Sequence, residues 1–182
     1  MLLASCGGGN EASGLGPVAG ATPPVAPAPA PAPGVVDAAR SCGLASFQAD
    51  LMAQINQARQ SGRVCGGQSM PPVVALAWND PLFSGAAKHA EDMAVNNYFS
   101  HTSLDGRTLG QRVTAEAYNW RAVGENIAAG HSSVSAVMQG WLTSEGHCRN
   151  IMNSNFRDVG VACVNAQGAQ YSRYWVMKLG AR

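Results

Sequence analysis

A long stretch of small residues and prolines near the N-terminus limits where this chain can fold. Residues 7–40 consist mostly of Gly, Ala, Pro, Ser and Val, and Ala alternates with Pro across residues 28–33. Such a segment buries too little apolar surface to offset the loss of conformational entropy on folding. We therefore predict a disordered tether over residues 7–40 and one folded domain over residues 41–182.

The charge pattern excludes two classes of protein. The chain carries 12 basic and 11 acidic residues, for a formal net charge of +1, and has no basic run. A nucleic-acid-binding protein needs a basic patch, so we expect no nucleic acid partner. No apolar stretch is long enough to span a bilayer, so the sequence predicts no membrane-spanning helix.

The first six residues resemble the end of a bacterial lipoprotein signal. Leu-Ala-Ser-Cys at residues 3–6 is similar to a lipobox, in which the signal peptide is cut before a Cys whose thiol receives a diacylglycerol. We interpret residues 1–6 as a truncated signal peptide and Cys6 as the lipidation site. This predicts an exported protein attached to a membrane by its lipid anchor, in the cell envelope (periplasmic or surface) or outside the cell. The alternative is a chance Cys in a flexible terminus.

The other four cysteines form an even set, at positions 42, 65, 148 and 163. Neither a C-x-x-C pair nor zinc-finger spacing is present, which favours disulfides formed in an oxidising compartment. Four cysteines allow three connectivities. We prefer Cys42–Cys65, which staples across the first helix, and Cys148–Cys163, which links a helix start to a following strand. Each bond closes a loop of about 15–25 residues, worth roughly 3 kcal/mol in the chain-entropy model.

Hydrophobic spacing and turn residues predict a mixed α/β domain. The predicted helices cover residues 46–60, 81–97, 108–117 and 132–142, and the predicted strands cover residues 73–78, 158–164 and 171–179. The last two strands are separated by a polar turn and should form a hairpin. This order of elements favours helices layered on a small antiparallel sheet.

Three polar motifs stand out from this background. They are Tyr-Phe-Ser-His at residues 98–101, Gly-Glu-Asn-Ile-Ala at 124–128 and Trp-Leu-Thr-Ser-Glu-Gly-His at 141–147. The third continues with Arg-Asn-Ile-Met-Asn at 149–153. In this order they resemble the bacterial branch of the CAP superfamily, also called SCP/TAPS (cysteine-rich secretory proteins, antigen 5 and pathogenesis-related 1). The resemblance covers about residues 46–180.

The resemblance implies an α–β–α sandwich with a small central antiparallel sheet and an open cleft that holds two His and two Glu. His101 and His147 match the two histidines, and Glu125 matches the first glutamate. The second glutamate is expected three residues after the Trp, where this chain has Ser144. We assign the neighbouring Glu145 in its place, which gives a predicted cleft tetrad of His101, Glu125, Glu145 and His147.

Two neutral imidazoles are good ligands for Zn²⁺ or another divalent cation, and neighbouring carboxylates orient them. We predict a metal site at His101 and His147. With only two protein ligands, the ion would be exchangeable rather than structural. The alternative is that both histidines only hydrogen-bond Glu125 and nearby loops, holding the cleft in shape.

The resemblance implies a binding or scaffold module of the cell envelope whose ligand is a lipid, a sterol-like molecule, or a cell-wall or peptide component. Enzyme activity is not our first expectation, because no convincing nucleophile is present. Ser100 adjoins His101 in sequence, but adjacent side chains seldom form a nucleophile–base pair. The alternative is a metal-assisted peptidase or cell-wall hydrolase in the same cleft, with Glu125 or Glu145 as general base. A third possibility is a purely structural domain.

Overall fold

The computed structural model describes residues 36–182, so Cys6 and most of the predicted tether lie outside the described residues. The helices are α1 (Phe47–Ser61), α2 (Asp80–Val95), α3 (Leu109–Ala115), α4 (Val134–Thr143) and α5 (Glu145–Ile151). The strands are β1 (Arg63–Cys65), β2 (Gln68–Met70), β3 (Ala77–Trp78), β4 (Ala122–Ala129), β5 (Asp158–Asn165) and β6 (Arg173–Ala181). Between residues 36 and 182, no helix is both long enough and apolar enough to cross a membrane.

Four strands form the main sheet, in the order β3-β5-β6-β4. The predicted C-terminal hairpin is confirmed, because β5 pairs antiparallel with β6 over the whole length of β5. β4 pairs antiparallel with the outer side of β6, and the short β3 runs parallel to β5. β1 and β2 form a separate hairpin. The sequence prediction missed β4, β1, β2 and α5.

Helices cover both faces of the sheet, which confirms the predicted α–β–α sandwich. Side chains alternate between the two faces along β6, as the pleat of a strand requires. Trp175 and Met177 pack with α1 and α4 on one face. Tyr174 and Val176 pack with α2 on the other face. Because both faces are buried, β6 is largely apolar along its length rather than alternating between apolar and polar residues.

Helix α2 lies very close to β5. It begins at Asp80, one residue before the predicted start, and Asn79 is its N-cap: the Asn79 side chain accepts a hydrogen bond from the Leu82 backbone N–H. Its first turn crosses Gly160, where an added Cβ would lie 2.1 Å from the backbone nitrogen of Phe83. Glycine is therefore required at this position so that the helix can approach the strand backbone.

Both predicted disulfide pairings are wrong. The bonds join Cys42 to Cys163 and Cys65 to Cys148, with Cα–Cα distances of 5.2 and 5.6 Å. Ser41 bridges Cys163 in a parallel β-bridge, which places Cys42 beside β5. The spacing of the cysteines along the chain therefore did not predict their pairing. The packing of distant elements decides which cysteines meet.

The folded part also begins earlier than predicted. We assigned residues 36–40 to the tether, but Val36 packs against the core. The Arg40 backbone N–H donates to the backbone oxygen of Asp37, and the Arg40 side chain forms an ion pair with Glu91. Through these contacts, residues 36–40 pack and hydrogen-bond as part of the folded domain.

Candidate functional site

Glu125 is the centre of a buried polar cluster on β4. Its carboxylate accepts a hydrogen bond from His101 Nδ1 at 2.9 Å and from Lys178 Nζ at 2.7 Å. Arg112 Nη2 lies 3.0 and 2.9 Å from its two oxygens. The side chain of Glu125 is 2% exposed, and those of Arg112 and Lys178 are 5% and 0% exposed. Three donors therefore surround one buried carboxylate.

Each partner of Glu125 comes from a different element. Lys178 lies opposite Glu125 in the register between β4 and β6. Arg112 projects from α3, a short helix that starts with a capping box. His101 follows α2, and the connecting segment is held because His89 Nε2 contacts the Ser100 carbonyl oxygen at 2.9 Å. The fold thus brings strand, helix and loop side chains to one point.

The electrostatics of the cluster keep Glu125 ionised. Burial alone would raise the pKa of Glu125, but the His101 hydrogen bond and the charges of Lys178 and Arg112 hold it well below its usual range. Burial lowers the pKa of Lys178 to about 8, although Glu125 acts in the opposite direction. A carboxylate with so low a pKa has little tendency to take up a proton near neutral pH.

A pair of asparagines fixes helix α5 against β4 next to this cluster. Asn126 Nδ2 donates to the backbone oxygen of His147 at 3.1 Å. Asn150 Nδ2 donates to Asn126 Oδ1 at 2.9 Å and contacts the Glu125 carbonyl oxygen at 3.3 Å. The position of His147 is therefore set by the same strand that carries Glu125.

The two predicted histidines lie near each other at this end of the sheet. His147 is half-buried, and burial lowers its pKa, with the neighbouring His101 acting in the same direction. The His101 side chain is 55% exposed and uses Nδ1 to contact Glu125. Within residues 36–182, no hydrogen bond occupies His101 Nε2 or either ring nitrogen of His147. Free imidazole nitrogens therefore face a region that solvent can reach.

Glu145 is not part of this arrangement, which corrects the predicted tetrad. Its carboxylate forms an ion pair with Arg149 one turn later on α5, and the side chain is 52% exposed. It also lies over the turn between β1 and β2, where an added Cβ at Gly66 would lie 2.3 Å from it. Successive helix residues point in different directions, so Glu145 cannot replace the residue missing at Ser144.

His101 and His147 are the residues at this site that could hold a metal ion. No group of three or more His, Cys, Asp or Glu side chains suited to hold a metal occurs in the described part of the chain. The Glu125 carboxylate is already bound by Arg112 and Lys178. This leaves the imidazole nitrogens of His101 and His147 as the atoms that could bind a metal ion. Two imidazoles with open positions suit an exchangeable ion.

Sequence reasoning missed two important residues of the cluster, Arg112 and Lys178. The side chain of His89 is also fully buried, 4.0 Å from Glu125. Lys178 did carry a usable signal, since it interrupts the apolar run of residues 174–179. A buried charge in a central strand needs an opposite charge close by. Arg112 carried no comparable signal.

Comparisons with known proteins agree with this fold. The model of the family described as the cysteine-rich secretory protein family, CAP, matches residues 52–179. The chain is 40% identical over 86 residues to YlbC of Bacillus subtilis (strain 168), described as an uncharacterized membrane protein. That match covers 47% of this chain but only 25% of YlbC.

Solved structures give the same result. An extracellular protein containing a SCP domain from Bacillus anthracis is 32% identical, with a TM-score of 0.57, covering 75% of this chain and 42% of that one. An outer surface protein from Borrelia burgdorferi shares the fold at 22% identity, with a TM-score of 0.61, covering 76% of this chain and 96% of that one. The chain belongs to the cysteine-rich secretory protein family, CAP.

Proposed function

We propose that this chain is an exported binding module of the cell envelope, and that a divalent cation such as Zn²⁺ at His101 and His147 helps to hold its ligand. The observation that carries the proposal is the state of Glu125. Its carboxylate is buried and bound by Arg112 and Lys178, whereas the His101 imidazole that it contacts is exposed and His147 is partly exposed. Glu125 thus holds the His101 ring in place.

The surroundings of His101 favour a ligand with an apolar part. Phe99 and Leu104 flank His101 in sequence and are 43% and 65% exposed. A ligand with an apolar part would bury surface against these side chains. We therefore favour a lipid or sterol-like ligand over a cell-wall or peptide component.

Export and membrane attachment are part of the proposal. Both disulfides join distant parts of the domain, as expected for a protein that folds in an oxidising compartment. The Bacillus anthracis relative is named an extracellular protein, and the Borrelia burgdorferi one an outer surface protein. A lipid on Cys6 would hold this domain at a membrane by its tether, and mass spectrometry of the natively expressed protein would test for it.

A metal-assisted hydrolase in the same cleft has less support. Such a mechanism needs a carboxylate that can take a proton from water. The low pKa of Glu125 makes it a poor base, and the Glu145 carboxylate pairs with Arg149 and lies against the turn at Gly66. We therefore propose binding rather than catalysis as the role of the cleft.

Calorimetric titration with Zn²⁺ tests the metal part of this proposal. We expect weak, saturable binding to the parent protein and loss of that binding in His101→Ala and His147→Ala. The matched control is His131→Ala, which removes a partly exposed histidine on another loop. Equal Zn²⁺ binding in all four proteins would refute the metal site.

A second experiment separates binding from hydrolysis. The purified protein is incubated with peptidoglycan and with casein, in the presence and absence of a chelator. We expect no turnover of either substrate. Turnover that the chelator abolishes, and that His147→Ala also lacks, would replace the binding proposal with the hydrolase.

A further inference from the structure

A hollow lies on the outer surface of α3, and neither His101 nor His147 lines it. Its volume is about 610 Å³, and Gln111, Thr114 and Trp120 are among the residues that line it. Arg112 of the same helix points the other way, into the Glu125 cluster. No charged side chain of the described residues lines the hollow. It is therefore an uncharged site with its own set of side chains.

Trp120 forms a fixed aromatic surface in this hollow. Its Nε1–H donates to Thr114 Oγ1 at 3.0 Å, which fixes the orientation of the indole. The ring rests against α3 at Gly110, where an added Cβ would lie 2.8 Å from the indole Cζ2. Trp120 is nevertheless 41% exposed. An exposed indole that is already held in place loses little conformational freedom when a ligand binds.

Two polar groups beside the indole are also fixed and still able to bond. Gln111 Oε1 accepts a hydrogen bond from the Thr108 backbone N–H at 2.8 Å. This bond leaves the Gln111 amide nitrogen as a donor, with no acceptor among residues 36–182. Thr114 accepts the indole hydrogen bond, and its own hydroxyl hydrogen has no acceptor in the same range. The hollow thus offers two unused donors beside an aromatic ring.

We propose that this hollow binds an uncharged sugar ring of a glycan. The face of an indole carries negative charge density, which attracts the weakly positive C–H groups on the face of a pyranose. The sugar hydroxyls would accept hydrogen bonds from Gln111 and Thr114. A pocket with an apolar surface and a few placed polar groups is typical of a small-ligand site.

Other ligand classes fit this lining less well. An acyl chain would cover the two donors without giving them acceptors, which is costly. A nucleic acid base could stack on the indole, but its phosphates would find no basic side chain in the hollow. An uncharged sugar can both pack against the indole ring and accept hydrogen bonds from Gln111 and Thr114.

Binding of tetrasaccharides to the full chain tests this proposal. The probes are chitotetraose and cellotetraose, followed by calorimetry and by tryptophan fluorescence. We expect at least one of them to bind, and Trp120→Ala to weaken that binding by about tenfold or more. Trp120→Phe keeps an aromatic ring and should retain part of the affinity.

A second variant tests the polar part without disturbing α3. Gln111→Glu keeps an oxygen that can accept the Thr108 hydrogen bond, so the capping box is preserved. It replaces the amide donor with a carboxylate oxygen and should weaken tetrasaccharide binding several-fold. Thermal unfolding checks that each variant remains folded.

Several results would overturn the proposal. Binding of neither tetrasaccharide would do so, as would equal binding by the parent, Trp120→Ala and Gln111→Glu. Myristate or a DNA oligonucleotide binding in place of sugar, and depending on Trp120, would assign the hollow to that class instead. His147→Ala should bind sugar as the parent does, which keeps this result separate from the test of the histidine cleft.

Discussion

Glu125 on β4 and Lys178 on β6 are opposite each other in the sheet, and their side chains form a buried ion pair of 2.7 Å. Arg112 adds a second positive charge to the same carboxylate. One negative charge therefore compensates two buried positive charges. Removing the negative charge should disturb the protein more than removing either positive one.

Glu125→Gln should lower the free energy of unfolding by about 3 kcal/mol or more, because it leaves Lys178 and Arg112 buried without a counter-charge. Lys178→Met should cost less, about 1–2 kcal/mol, because Arg112 and His101 still bind the carboxylate. Urea-induced unfolding at neutral pH measures both values.

The double variant Glu125→Gln/Lys178→Met provides the control for this prediction. Removing Lys178 relieves part of the cost of removing Glu125, so the double variant should lose less stability than the sum of the single losses. Strictly additive losses, or a larger loss for Lys178→Met than for Glu125→Gln, would contradict the proposed charge balance.

Asn150→Ala should weaken the Zn²⁺ binding proposed above, although Asn150 is not a ligand. The substitution removes the hydrogen bonds to Asn126 and to the Glu125 carbonyl oxygen, which fix α5 and His147 against β4. We expect a stability loss of about 1–2 kcal/mol and several-fold weaker binding in calorimetry. Asn155→Ala is the matched control, since Asn155 is exposed and should change neither quantity.

The two disulfides should differ in their effect on the site. The chain-entropy model gives about 4–5 kcal/mol for either bond, with sequence separations of 83 and 121 residues. Cys65→Ser/Cys148→Ser frees α5, which carries His147, from the β1–β2 hairpin.

Cys42→Ser/Cys163→Ser instead loosens the far end of β5. Both double variants should therefore unfold at lower temperature, but only the loss of Cys65–Cys148 should also weaken Zn²⁺ binding. Peptide mapping without reduction checks the connectivity first. Equal effects on Zn²⁺ binding would argue against this role for the hairpin.

The sequence predicted correctly those helices and strands that are marked by neighbouring residues, such as caps, prolines and turns. The start of α2 follows from Asn79 and Pro81, and the C-terminal hairpin follows from two apolar runs around a polar turn. β4 was missed because Glu125 and Asn126 interrupt its apolar pattern, although both are buried. A strand that carries buried polar groups does not show the usual alternation.

The site was only partly predictable for a related reason. The resemblance to a known family located His101, Glu125 and His147, but neither Arg112 nor Lys178 belongs to the motifs that carried it. Their role depends on sheet register and on the placement of α3, which are long-range properties. The prediction of the cysteine pairing failed for the same reason, because the spacing of cysteines along the chain does not determine which distant elements pack together.

The buried His89 should make the protein less stable in mild acid. Burial lowers the pKa of His89 from 6.5 to about 4, and Nε2 contacts the Ser100 carbonyl oxygen. Between these pH values the unfolded chain binds a proton that the folded protein does not, so stability falls as the pH is lowered through this window. By pH 4 the loss from this group amounts to about 3 kcal/mol.

His89→Gln tests this prediction, because glutamine keeps a donor for the Ser100 carbonyl oxygen but does not titrate. Thermal unfolding measured from pH 7 to pH 4 should show a flatter decline for this variant than for the parent. Protonation of Glu125 lowers the stability mainly below its ordinary pKa of 4.5. The decline in stability between pH 7 and that value therefore comes from histidine protonation. The variant His131→Gln should keep the parent's steeper decline. An unchanged slope in His89→Gln would mean that His89 is not held neutral by the fold.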